Sequence, residues 1–203
     1  MLGLPKTTEL NKQLPKKAIY AKFNMNTASR EKFDADISRI TIVNEVSPQT
    51  IRTVAPSDEV PSFYVMLVSL KRKNFDERTI AQISKLINQN MLLVLEYEGE
   101  CKLAIYHTKL LQGEWRKTED CTVHLQGLDM KAIWQNVVTQ VGSIEIEQGN
   151  SLEQQIAVDE RKAKLQAEID RLEKQARKET QPKKKFELAQ RIQVLKHDME
   201  DKT

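Results

Sequence analysis

Three carboxylates and an amine at alternate positions, Glu96, Glu98, Glu100 and Lys102, are the residues of this sequence whose spacing comes nearest to a reaction. Alternate positions of an extended strand share a face, so the four are expected along one side of a hairpin. Glu100-Cys101-Lys102 has the Glu-x-Lys spacing of metal-dependent nucleases, where the carboxylate helps hold Mg²⁺ and the lysine positions or activates the attacking water. Such a centre needs a second acidic residue from a neighbouring strand, and Glu45, Asp58 and Asp76 all fall in or beside loops. Gly99 also places Glu100 at a hairpin end, where charge is expected for solvation alone. A solvated turn is therefore favoured over a Mg²⁺ site, and no other cofactor or metal is called for.

The remaining chemistry-bearing types are scattered. His107, His124 and His197 have no nucleophile at a suitable spacing, and strand histidines with ordinary hydrogen bonds are the simpler reading of the first two. Cys101 and Cys121 are too few for a structural metal site, and are read as buried thiols on strands. No phosphate loop, dinucleotide fingerprint or His-Glu-x-x-His occurs, and six glycines leave little material for a phosphate cradle. The balance leans away from an enzyme.

A second kind of chemistry, attraction for phosphate or carboxylate, is concentrated near the end of the chain. Residues 1–158 hold 19 basic and 19 acidic side chains and residues 159–203 hold 13 and 10, so the formal excess of +3 lies wholly in the last stretch. Between Arg171 and Lys185 seven basic residues face two acidic ones. Arg177, Lys178, Lys183, Lys184 and Lys185 could neutralise several phosphates without reading sequence, and Phe186 beside them could cap a bend or stack on a base. Solubilising an exposed tip is the alternative reading, and an acidic protein surface suits the cluster as well as nucleic acid does.

The elements that must carry these residues follow from periodicity. Leu165, Ile169, Leu172 and Ala176 step by four, three and four, and so do Leu188, Ile192, Leu195 and Met199. Pro182 is tolerated in the first turn of a helix but not inside one, so two helices folded back on each other are predicted, with the lysines at the bend. Before them, Leu4 to Lys17 reads as a short helix between prolines, with Leu10 and Leu14 on one face, and Thr27 to Ile37 as a second. Ile40 to Val46, Phe63 to Leu70, Met91 to Tyr97, Lys102 to His107 and a segment around Thr122 to Gln126 read as strands. Glu98-Gly99 is the hairpin turn, and residues 48–62 form a long loop. Ile80, Ile83 and Ile87 mark a helix behind Asn74 or Asp76, and Leu128, Ala132, Ile133 and Val137 mark another. The expected fold is α+β: a mixed sheet with packed helices over 1–147, followed over 148–203 by an antiparallel, coiled-coil-like helical hairpin with a basic tip. Residues 1–6 lack an apolar leader core, and no run approaches the length of a membrane span, so a cytoplasmic location without membrane contact is expected.

Three stretches carry a resemblance. Leu4-Pro5-x-x-Thr8-Glu9-x-Asn11-Lys12-x-x-Pro15-Lys16, Leu95-Glu96-Tyr97-Glu98-Gly99 and Gln181-Pro182-Lys183-Lys184-Lys185-Phe186-Glu187-Leu188 look like the bacterial domain of unknown function family 4391. The likeness spans almost the whole chain; its middle motif is generic. Proteins of that family are often encoded beside helicases and DNA methyltransferases in restriction or phage-defence neighbourhoods. The resemblance thus implies an accessory role in protein–protein interaction and DNA binding, with no catalytic residue to carry over. The expected function is an interaction subunit that docks on a helicase or methyltransferase and reaches DNA through the basic tip. A Mg²⁺-dependent nuclease at Glu96, Glu98, Glu100 and Lys102, and a self-assembling structural protein whose arms pair between copies, are the alternatives.

Overall fold

The computed structural model describes residues 2–200; Met1 and residues 201–203, at the outer ends of the ranges 1–147 and 148–203, lie outside the described residues. Two compact units meet in sequence at Ile144 and Glu145. The first contains, in order, β1 (Glu9–Gln13), α1 (Lys16–Lys22), α2 (Thr27–Asp36), β2 (Ile37–Val46), β3 (Phe63–Leu70), α3 (Glu77–Ile83), β4 (Asn90–Tyr97), β5 (Glu100–Tyr106), β6 (Leu110–Gln112), β7 (Arg116–Lys117) and α4 (Met130–Gly142). The sheet order is β1-β2-β3-β4-β5-β6, with β7 also on β5. Only β3 and β4 are parallel, as a strand, crossover helix and strand require.

Residues paired across a sheet share a face, so the register sorts the core. The row Ile42, Met66, Leu93, Ala104 and the row Ile40, Val68, Leu95 lie on one face. There they join Ile19 of α1, Phe33 of α2 and Ile80 and Ile83 of α3 in one buried cluster. On the other face Phe63 meets Trp134 of α4 with ring centroids 5.1 Å apart. Both faces of β3 and β4 are therefore covered, which is why these strands are almost continuously apolar rather than alternating. Among the described residues no helix is long and apolar enough to cross a membrane.

Three expectations fail here. The stretch from Leu4 to Lys17 is not one helix: a short 3₁₀ turn at Lys6–Thr8 leads into β1, and the helix starts after Pro15. Proline disfavours helical geometry at the preceding Leu14, while the outer edge of β2 offers backbone partners that a helix would leave unused. Thr8 anchors this segment by accepting a 2.8 Å hydrogen bond from the buried Asn44 and donating one of 2.7 Å to the Pro5 carbonyl. Nor do Thr122 to Gln126 form a strand on the sheet. Thr122 makes only an isolated bridge with Leu2, and β5 is instead partnered by β6 and β7. Leu128, expected on the face of α4, precedes that helix and is 88% exposed.

The end of α2 is held by a buried charge. Asp36, 1% exposed, accepts a 2.5 Å hydrogen bond from Arg72 Nε, and its second oxygen accepts one of 3.0 Å from the Asp76 amide. The carboxylate so ties α2 to the β3–α3 connection, and Asp76 in turn caps α3 through the Arg78 amide. Between α1 and α2, Asp34 accepts 2.6 Å hydrogen bonds from both Lys16 and Tyr20. Burial pushes the Asp34 carboxyl up, but these two donors outweigh it and hold it below the ordinary value. Burial, and then the bond to Asp34, raises the Tyr20 hydroxyl to about 12.

Two predictions come from these contacts. Arg72→Ala strands a buried anion whereas Asp36→Ala leaves an arginine whose side chain is already 57% exposed, so urea midpoints should show the larger loss, about 3 kcal/mol, for Arg72→Ala and about 2 kcal/mol for Asp36→Ala. Because the Asp34 carboxyl is lowered in the fold, its contribution is present above the ordinary carboxylate range and is lost as pH falls through the folded value. The difference in urea midpoint between wild type and Asp34→Asn should accordingly be present at neutral pH and close on acidification.

Candidate functional site

The second unit consists of α5 (Leu152–Lys178) and α6 (Pro182–Glu200), packed against each other. Ser151 begins α5 with a capping box: the Gln154 amide donates to Ser151 Oγ at 3.2 Å and the Ser151 amide to Gln154 Oε1 at 2.8 Å. Buried Gln155 fastens the preceding segment by accepting from the Glu147 amide and from Asn150 Nδ2, at 3.1 and 2.9 Å. Leu188, Ile192, Leu195 and Met199 are the only described α6 side chains that escape full exposure, as the heptad spacing requires, and Ile169 and Leu172 of α5 are buried.

The bend is short. The Glu179 amide closes α5 on the Gln175 carbonyl at 3.0 Å, and the Glu179 carboxylate accepts a 2.9 Å hydrogen bond from the Gln181 amide. That bond, with a lesser one from Thr180 and the nearby Lys184 charge, holds the Glu179 carboxyl below its usual range. Pro182 opens α6, where its missing N–H leaves no intrahelical bond unmade.

Charge is compensated unevenly along the hairpin. Away from the bend four basic groups are paired, Lys196 with Glu173 at 2.9 Å, Arg191 with Glu168 at 3.6 Å, Arg171 with Glu168 at 2.6 Å, and Lys162 with Glu147 at 3.4 Å, while among the described residues Arg161, Lys164 and Lys174 form no ion pair. The hydrogen bond from Arg171 is the main reason the Glu168 carboxyl is lowered. At the bend Arg177 lies 3.9 Å from Glu173, and among the described residues Lys178, Lys183, Lys184 and Lys185 form no ion pair. All five side chains are exposed, and so is Phe186 at 64%. A groove of about 570 Å³ opens beside them, lined by Lys178, Glu179, Lys184, Glu187, Leu188 and Arg191 among others.

In the first unit the carboxylates of the expected nuclease site do not share a face. The turn has positive φ at both Glu98 (47°) and Gly99 (83°), and it pairs Tyr97 with Glu100 and Glu96 with Cys101. Glu96 therefore stands on the Cys101 face, opposite Glu100 and Lys102. Glu100 is ion-paired with Lys73, and the Glu98 carboxylate accepts from the Tyr97 hydroxyl, which is raised by that bond. Lys73 and Lys102 lie 5.2 and 5.6 Å from the Trp115 ring centroid. This cation–aromatic cluster is drawn from three separate segments, and no sequence spacing announces it. Among the described residues no three His, Cys, Asp or Glu side chains come together in a way that could hold a metal ion. His107 lies in the β5–β6 turn, and the amide of His124 donates to Gln140 of α4.

Cys101 lies on β5, whereas Cys121 follows a 3₁₀ turn rather than lying on a strand; both are buried and unbridged. Burial, and then its hydrogen bond with Cys121, drives the Cys101 thiol up to about 12. Neither thiol should therefore react with Ellman's reagent in the folded chain at pH 8, and both should react on denaturation; rapid native labelling would contradict the packing.

A family described as "Domain of unknown function (DUF4391)" matches residues 2–199. No curated protein and no solved structure matches the chain.

Proposed function

We propose, for a chain that belongs to the DUF4391 family, that it is an accessory interaction subunit: its α+β unit docks on a larger protein, and the tip of its helical hairpin reaches a polyanionic partner. The observation that carries this reading is the exposed cluster at the bend, where Lys178, Lys183, Lys184 and Lys185 form no ion pair among the described residues and Phe186 beside them is 64% exposed. Lysines in the first turn of α6 lie at the positive end of the helix dipole, where they disfavour the helix, so folding gives no reason for their position. An anionic surface supplies one. The resemblance described above favours a helicase or methyltransferase of a restriction or phage-defence system as the larger protein and DNA as the anion.

Co-expression with a helicase or methyltransferase of such a system should give a complex that survives size-exclusion chromatography. A chain that elutes alone at micromolar concentration in the presence of both defeats the docking part of the reading. Replacing Lys183, Lys184 and Lys185 together with Ala should leave the thermal midpoint unchanged or raised. The same replacement should weaken binding to the complex's anionic partner at low salt and flatten its dependence on ionic strength.

A further inference from the structure

We infer that the hairpin tip is a contact for single-stranded nucleic acid, in which Phe186 offers its ring to an unpaired base and the surrounding lysines take the adjacent phosphates. This rests on the reading of the tip as the polyanion-binding end and names what it binds.

Phe186 has no structural role that accounts for it. The half-buried positions of α6 begin at Leu188, and Phe186 is left 64% exposed in the helix's first turns, amid unpaired cations. At about 100° per residue, Lys183 and Lys185 flank Phe186 at about 60° on one side and 100° on the other, while Lys184 points about 160° away. Lys184 faces the groove it shares with Glu179, whose carboxyl it helps to lower. The two lysines that bracket the ring have no such partner. An aromatic face between two ammonium groups matches a base between its two phosphates, and such stacking tolerates any base because each has a π-face.

The ring decides between duplex and single strand. In a duplex each base face is stacked on its neighbours, and only base edges, sugars and phosphates reach the grooves. An unpaired strand exposes the base faces that a duplex stacks away. An acidic protein would satisfy the lysines but leave the ring needing a separate apolar pocket.

The test is fluorescence anisotropy of the full chain with a labelled 20-nucleotide oligo-dT and with a blunt duplex of the same length, across a range of NaCl concentrations. The single strand should bind more tightly than the duplex. Phe186→Ala should weaken that binding at least about fivefold with the salt slope unchanged, and Phe186→Trp should restore it. Lys183→Ala with Lys185→Ala should instead reduce the slope by about 1.4, at about 0.7 per phosphate. These side chains are exposed, so unchanged circular dichroism and urea midpoints will show that the variants fold. Equal or tighter duplex binding, or a Phe186→Ala chain that binds as wild type does, overturns the inference. Should neither nucleic acid bind while the triple lysine variant loses a protein partner, this inference falls and the interaction reading stands; tip variants without effect on any partner sink both.

Discussion

Parallel pairing of β3 with β4, unbroken from Phe63 against Asn90 to Ser69 against Glu96, is the constraint on which the first unit depends. Two parallel strands cannot be joined by a turn, so the chain must return along the whole length of the pair, and it does so through α3. That return covers one face of the sheet with Ile80 and Ile83, and α4 covers the other. It also leaves backbone to be held at the exit of β3, where the Asp36 carboxylate binds both Arg72 and the Asp76 amide. The antiparallel strands are then added outward in pairs, β2 and β1 on one side, β5 and its two short partners on the other. Burial falls along this series. β4 is fully exposed at no position, whereas β1 is exposed throughout and ends the sheet with a bulge and a lysine, features that discourage further pairing.

The helical hairpin obeys a different balance. Its seam is narrow, and four of the basic groups along its flanks form exposed ion pairs that add little stability each. At the bend basic groups crowd together with little compensation. Arg177 and Lys178 complement the negative end of the α5 dipole, whereas Lys183, Lys184 and Lys185 oppose the positive end of α6, with Glu179 offsetting them only in part. A charge arrangement that disfavours the fold at one end of an element, beside an exposed phenylalanine, marks a surface shaped by something other than folding.

Much of the architecture was legible. β3 and the hairpin turn at Glu98-Gly99 could be placed to the residue, because continuous apolar runs and a glycine turn are local signals. The seam of α6 was equally plain, since a heptad repeat needs no knowledge of what else the chain does. The basic residues around Pro182 could be picked out as a group from the sequence, but which of them lack an ion pair is a property of the folded hairpin. Glu96 shows the opposite case. Alternation along one strand is readable, but a two-residue turn pairs Tyr97 with Glu100, so continuing the alternation through the turn puts Glu96 on the wrong face. The amino-terminal segment failed for a related reason. Leu10 and Leu14 have helical spacing, but Leu10 is 44% exposed and β2's free edge decides the conformation.

What the sequence by itself determined are the features governed by neighbours within a few residues: which runs are strands or helices, where Pro182 starts a helix, and how the charge is distributed along the chain. What only the tertiary structure decided are the features that depend on distant partners. These include the face on which each carboxylate stands, the meeting of Lys73 and Lys102 at Trp115, the burial of Asp36, and which cations remain unpaired at the bend. The division is physical, because backbone preference and periodicity act through local sterics, whereas pairing and compensation of charge act between groups that only folding brings together.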